Sequence, residues 1–170
     1  ECNAVALTRK GEILYSYKRG AKLVTWDHQV VWDYKTPDKT ELQSATLLQN
    51  GGVLLGICGV PAQFIELDKK GKEVNKVTLN LEVERPHSQF RQIFQLRNSN
   101  YLIPVMAKQK VLEVSRKGKI IAEHQIEGKA FSSLELPDEN LLLPCGDNHC
   151  YIVIDRKTGE ELKRVNALDI

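Results

Sequence analysis

The chain has 170 residues, 42% hydrophobic and 27% charged, enough for one ordinary domain with its own core. Its 24 basic and 22 acidic residues are interspersed, for a formal net charge of +2, so the basic block of a nucleic-acid binder is missing and no nucleic-acid partner is expected. No apolar run approaches the ~20 residues of a membrane span, and four cysteines are too few for a disulfide scaffold.

Read in chain order, the sequence repeats itself. GEILYSY from Gly11, GGVLLGI from Gly51, SNYLIPV from Ser99 and ENLLLPC from Glu139 align on Leu14, Leu54, Leu102 and Leu142, spaced 40, 48 and 40 residues apart. KLVTWD, QFIELD, KVLEVS and YIVID follow them, ending at Asp27, Asp68, Ser115 and Asp155, spaced 41, 47 and 40. Two markers with one period point to internal repeats. Each repeat holds short strand-like runs, for example SATLLQ, GVLLGI, QFIELD and EVNKVTL in the second. FIELD and VLEVS alternate with period two, which predicts half-exposed strands. Turn chemistry separates the runs in QNGG, DKKGKE, SRKGK and DRKTGE, where glycine supplies the positive φ of a hairpin.

Four-stranded units repeating every 40–48 residues predict an all-β chain of β-propeller blades. With strands a to d counted outward, the blades span about 2–34, 42–83, 89–127 and 131–166 of a single propeller region, 1–170. NALDI, Asn166 to Ile170, reads as the approach to a further blade, so the four blades are expected to be part of a larger ring rather than a closed four-bladed one. Proline at 104 and 144, two residues past the aligned leucines, predicts that regular pairing of strand b ends there.

In a propeller the b-to-c and d-to-a connections share one face. That face is expected to receive Glu1, Cys2 and Asn3; Lys18 and Arg19; Glu41 and Gln43; Cys58; Arg85, His87, Gln89 and Arg91; Lys108 and Gln109; Ser132 and Ser133; and Cys145 to Cys150. The Lys and Asp residues of the hairpins on the opposite face read as solvated turn positions. PHSQFRQIF alternates His87, Gln89, Arg91 and Ile93 against Ser88, Phe90, Gln92 and Phe94, which predicts a channel-lining inner strand. His87, Gln89 and Arg91 are therefore candidate ligand residues, with Asp147 and His149 of CGDNHC. A small anionic or carbohydrate ligand, or a protein partner, would suit them. The other reading is a structural His87, with Arg91 pairing Glu84 or Glu41.

CGDNHC leaves four readings open: a metal site, a disulfide between Cys145 and Cys150, a nucleophilic Cys145 served by His149 or His87, or a plain hairpin turn. Against metal, His149 and Cys150 would point to opposite sides of an extended strand, and no CxxC or HxxxH spacing accompanies them. No metal is expected and no catalytic residue is assigned. Trp26 and Trp32 flank the first c-to-d hairpin and read as inter-blade packing.

IELDKKGKEV and VIDRKTGEEL resemble the hairpin of the quinoprotein-like (PQQ-like) β-propeller superfamily. Within it, ERPHSQFRQI, PCGDNHC and KRVNALDI resemble surface-layer propeller proteins of anaerobic gut bacteria. The resemblance covers essentially the whole chain. It implies a seven-bladed ring, export to the periplasm or the bacterial cell surface, and a scaffold with no established activity. The chain opens at Glu1-Cys2-Asn3 without the pattern of a signal peptide, as it would after removal of one. PQQ enzymes of the superfamily place a Trp after the hairpin glycine in most blades. Here only Trp32 could serve, so no cofactor is expected. The expected function is a ligand-binding or interaction scaffold. The alternatives are a hydrolase, lyase or sulfotransferase using His87, Arg91 and His149, and then a quinoprotein dehydrogenase.

Overall fold

A computed structural model describes residues 2–166. Among the described residues the architecture is all-β: sixteen strands form four antiparallel sheets of four, each in the order a-b-c-d. Sheet one comprises β1 (Cys2–Leu7), β2 (Ile13–Tyr17), β3 (Gly20–Val24) and β4 (Val30–Lys35). Sheet two comprises β5 (Glu41–Leu47), β6 (Val53–Cys58), β7 (Ala62–Leu67) and β8 (Glu73–Leu79). Sheet three comprises β9 (Phe94–Gln95), β10 (Tyr101–Val105), β11 (Lys110–Val114) and β12 (Ile120–Gln125). Sheet four comprises β13 (Leu134–Glu135), β14 (Leu141–Cys145), β15 (Cys150–Ile154) and β16 (Glu161–Asn166). The expected repeat is thus present. Asn166 closes β16, and the rest of NALDI, like Glu1, lies outside the described residues.

The chain divides into two compact units, one ending at His87 and the other beginning at Ser88. In the first, Leu14, Ala21, Leu23 and Trp32 of sheet one pack with Leu42, Ala45, Leu55, Ile57 and Ile65 of sheet two. The side chains alternate across the pleat, so Val5, Leu7 and Tyr15 occupy the far face of sheet one, where Val5 and Leu7 are exposed. In the second unit, Leu102 and Val111 of sheet three pack with Leu141, Leu143, Cys145, Ile152 and Ile154. The far row of sheet four, Leu134, Leu142 and Val153, is only partly covered or exposed.

The hairpins dock sheet on sheet within each unit. Gly71 (φ +80°) turns the β7–β8 hairpin against Trp32 of β4; a Cβ there would lie 2.6 Å from the indole Cγ. Gly159 (φ +77°) sets the β15–β16 hairpin on His124 of β12, where a Cβ would lie 2.8 Å from Nδ1. Both positions need glycine for its conformation and for its missing side chain.

Several expectations need correction. The FIELD and VLEVS strands are buried on both faces: Glu66 and Glu113 are buried like their neighbours, because strand c is an interior strand covered on each side. His87 to Ile93 do not form an inner strand. Pro86–Ser88 is a 3₁₀ turn, and both Phe90 and Ile93, assigned to opposite rows, are buried. The proline fixes φ and breaks the extended run before it can alternate. In sheet one the turn begins at Thr25, whose N–H donates to Gln29 O, not at Asp27. Trp26 is therefore a turn residue, 72% exposed, whereas Trp32 is packed as expected. Pairing also runs one residue past each strand-b proline, to Val105↔Lys110 and Cys145↔Cys150.

Candidate functional site

The b-to-c turns and d-to-a connections lie together within each unit. In the first, the Lys18 carbonyl accepts from Leu42 N and the Arg19 carbonyl from Thr36 N. Beside them Glu41 gathers three donors. Lys18 Nζ lies 3.3 Å away, Gln43 Nε2 donates at 3.0 Å, and His87 Nδ1 sits at 3.1 Å. Burial raises the Glu41 pKa, but these partners outweigh it and hold the carboxyl below its usual range. His87 is thus hydrogen-bonded to Glu41, a carboxylate that the structural reading offered to Arg91, and its ring remains largely exposed.

In the second unit the two b-to-c turns are copies of one another. Met106–Lys108 and Gly146–Asn148 are 3₁₀ turns, closed by Gln109 (φ +50°) and His149 (φ +48°) in the left-handed region. The closing N–H donates back in both, Gln109 N to Met106 O and His149 N to Gly146 O. CGDNHC is accordingly a hairpin turn of a repeated kind. His149 is not extended, as expected, but left-handed. A four-residue link between paired Cys145 and Cys150 needs one positive φ, and His is among the side chains that tolerate it better.

The preceding d-to-a connection cradles this turn. Gly146 N donates to Lys129 O at 3.2 Å, Lys129 Nζ pairs with Asp147 at 2.7 Å, and Phe131 lies against Gly146. Gly128 lies against Asn148, where a Cβ would meet the amide at 3.1 Å. Asp147 is therefore ion-paired, while the side chains of Asp147, Asn148 and His149 remain at the surface. Gln89 and Arg91 sit in a different stretch of the same unit. Gln89 is buried, and its carbonyl accepts from Met106 N at 2.8 Å, so it serves the other 3₁₀ turn. Arg91 is half-buried and donates to Phe90 O at 3.3 Å.

Cys145 and Cys150 are buried free thiols. Burial, then the neighbouring Cys150, pushes the Cys145 thiol up to about 11. That makes Cys145 a poor nucleophile near neutral pH. Arg164 Nη1 donates to Cys150 Sγ at 3.5 Å. Among the described residues no group of three His, Cys, Asp or Glu could hold a metal ion.

A polar cluster that sequence reasoning missed lies at the other end of the second unit. Arg156 donates to Glu113 through Nε (2.9 Å) and Nη2 (2.8 Å), and to Glu135 through Nη1 (3.0 Å). Asn98 and Asn100 add bonds of 3.1 and 2.6 Å to the same Glu113 carboxylate. Burial pushes Glu113 up, but those donors, Arg156 foremost, hold it at about 2. The available signal was a Glu sharing a row with Val111 in the interior strand c. The hairpin aspartates behave as read: Asp68 accepts from Lys70 N and Lys72 N, and Asp155 from Lys157 N and Thr158 N.

Repeated four-stranded antiparallel sheets, docked by their outer hairpins and carrying short polar turns at one end of each unit, define a β-propeller protein. The chain belongs to the Mal s 1 allergenic protein-like family, whose model matches residues 1–169. A crystal structure of a protein of unknown function from Bacteroides caccae superimposes with a TM-score of 0.94 at 39% identity. It matches 100% of this chain, which spans 62% of that protein's length. Virginiamycin B lyase from Staphylococcus aureus, in complex with quinupristin, matches 97% of this chain and 55% of its own, with a TM-score of 0.75 at 16% identity. The Neurospora crassa Pan2 WD40 domain matches 97% and 49%, at 0.74 and 11%. The last two likenesses concern the fold alone. No curated protein matches the chain.

Proposed function

We propose that this chain is part of a larger, seven-bladed propeller, exported to the periplasm or the bacterial cell surface, that acts as a binding scaffold for a small anionic or carbohydrate ligand or a protein. The observation that carries the binding reading is the Gly146–Asn148 turn. Its backbone is tied to Lys129 and its aspartate is ion-paired, yet it presents Asp147, Asn148 and His149 to solvent. A preformed polar loop on a rigid sheet is what recognition uses. His87, Gln89 and Arg91 are the further candidates, and the high pKa of Cys145 weighs against thiol catalysis.

The larger ring draws support from the exposed far face of sheet one, the partly covered row of sheet four and the greater length of the Bacteroides caccae relative. Export and a surface-layer role rest on the resemblance of ERPHSQFRQI, PCGDNHC and KRVNALDI. The test is a glycan array, with titration calorimetry against acetate and sulfate, on wild type and on His149→Ala and Arg91→Ala. Weakened binding at unchanged Tm supports the scaffold reading. Binding that neither variant alters refutes the site. Turnover of a bound ester or sulfate would replace the scaffold by the enzyme alternative.

A further inference from the structure

The two thiols of the CGDNHC hairpin have a chemistry that the binding reading does not use. Cys145 and Cys150 are the last Cα pair of β14 and β15 before the turn. Directly opposed residues of an antiparallel pair have Cα atoms about 4.5 or 5.5 Å apart, and both values fall within the roughly 4.4–6.8 Å that a disulfide spans. Opposed residues also point to the same face. Both side chains are buried in the one apolar cluster with Leu143 and Ile152, so the thiols have only each other as reactive neighbours there. The other two cysteines face no thiol across their strand pairs. Cys58 is buried opposite Glu41, and Cys2 is exposed opposite Tyr17.

The pair is chemically asymmetric. The guanidinium of Arg164 donates to Cys150 Sγ at 3.5 Å, which places a cation beside that sulfur. Arg164 is itself held in place by Glu161, at 2.7 Å, and Glu127, at 3.2 Å. Cys145 lies deeper, and its thiol contacts Leu143 O at 3.8 Å.

We propose that Cys145 and Cys150 form a redox-active dithiol that closes to a disulfide across the hairpin by exchange with a low-molecular-weight disulfide. The Cys150 thiolate attacks one sulfur of the oxidant. The S–S bond of the oxidant breaks, and its first thiol leaves with the proton that Cys150 gave up. Cys145, a weak nucleophile in solution terms but held directly opposite, then attacks Cys150 Sγ in the mixed disulfide and expels the second thiol, which takes the proton of Cys145. The protein dithiol is oxidised by two electrons, and one small disulfide is reduced to two thiols. The product covalently closes the turn that carries Asp147 and His149.

The test uses the folded chain and glutathione disulfide. After incubation at a series of reduced-to-oxidised ratios, free thiols are blocked with iodoacetamide in denaturant, and the intact mass is read. Oxidation should lower the protein's own mass by about 2 Da, with two of the four cysteines spared from alkylation and the label confined to Cys2 and Cys58. Arg164→Gln should slow closure several-fold, and Cys145→Ser should stop at a mixed disulfide on Cys150. Alkylation of all four cysteines at every ratio would overturn the proposal. So would a disulfide involving Cys2 or Cys58, or a Cys145→Ser variant that takes up no glutathione.

Discussion

The two units build the same four-stranded repeat and hold it together by different means. In the first, strand a is long (Cys2–Leu7 and Glu41–Leu47), and the sheets meet through Trp32 against Gly71. In the second, strand a shrinks to two residues, Phe94–Gln95 and Leu134–Glu135, and sheet three is clamped to sheet four by Arg156 between Glu113 and Glu135. What strand a no longer supplies in ladder bonds, a buried ion cluster supplies in charge-assisted ones. The repeat therefore constrains where strands run, not which forces join them.

The largest effect should come from breaking that cluster. Arg156→Ala leaves the Glu113 and Glu135 carboxylates without their shared cation, and Glu113→Ala removes the best-paired of them. Losing one partner of a buried pair costs about 3–5 kcal/mol, so each variant should lower the urea midpoint steeply. Acid should act in the same direction. The folded-state pKa of Glu113, about 2, lies below its ordinary 4.5, so its stabilisation is complete above about pH 4.5 and lost as pH falls toward 2. Burial, opposed by the Glu113 charge, also depresses His124 below 6.5, so protonation of that ring weakens the second unit from about pH 6.5 downward. A urea midpoint that is flat from pH 7 to 3 would contradict both statements.

The apolar joint of the first unit should be nearly as sensitive. Trp32→Ala empties the contact with the Gly71 hairpin and should cost about 3 kcal/mol. Gly71→Ala keeps the indole but forces an L side chain into positive φ against it, which should cost on the order of 1–2 kcal/mol or more. Trp26→Ala, in the exposed turn, should stay within about 0.5 kcal/mol of wild type. Neither tryptophan variant should alter the acid response of the second unit. Thermal melts of the three proteins at pH 7 and pH 4 read both effects.

Most of the architecture was legible because it repeats. The aligned leucines fall in strand b of every sheet, and the KxGK and KTGE turns connect strands c and d. What could not be read was governed by partners distant in sequence. Glu113 looks like an exposed residue of an alternating strand until Arg156, forty-three positions on, supplies its counter-charge. His87 to Ile93 read as an inner strand because alternation in the text survives a proline that the backbone does not. Trp26 reads as a packed residue because Asp27 imitates the turn residue found in the other repeats, while Thr25 occupies that position. At the candidate site, the Cys145–Cys150 opposition followed from hairpin spacing alone, whereas Lys129 as the partner of Asp147 depended on how the d-to-a connection folds back.

The strand-b residues give a sharper handle on the difference between units. Pro104 and Pro144 lie two residues beyond the last pairs with strand a, Leu102↔Phe94 and Leu142↔Leu134. Their missing N–H therefore deprives no inner ladder. The corresponding Ser16 has partners on both sides, Ala4 and Ala21. Ser16→Pro should break the first sheet at a cost of about 2–3 kcal/mol, whereas Pro104→Ala should change stability by less than ~1 kcal/mol. Hydrogen exchange separates the two, since Ser16→Pro should lose amide protection along β1 and β2. Equal costs for the two substitutions would mean that strand-a length is not what admits proline in the second unit.

The smallest effect concerns the ion pair of the first unit, which differs from the Arg156 cluster mainly in exposure. His87 is 67% exposed in its side chain, whereas Arg156 is 14% exposed. Water screens the former, and one such pair is worth roughly 0–1 kcal/mol. His87→Ala should therefore shift Tm by no more than a degree or two, because Lys18 and Gln43 still satisfy Glu41. Glu41→Gln should cost more, because it removes the common acceptor of three donors. Its stabilisation has the carboxylate sign, present above about pH 4.5 and lost below, since the folded pKa is the lower one. A double-mutant cycle on His87 and Glu41 at 0.05 and 0.5 M salt, roughly bracketing the range over which screening changes, should give a small coupling that vanishes at high salt. A coupling that persists there would place His87 in a drier environment than its exposure indicates, and the contrast between the two units would then lie in their donors rather than in burial.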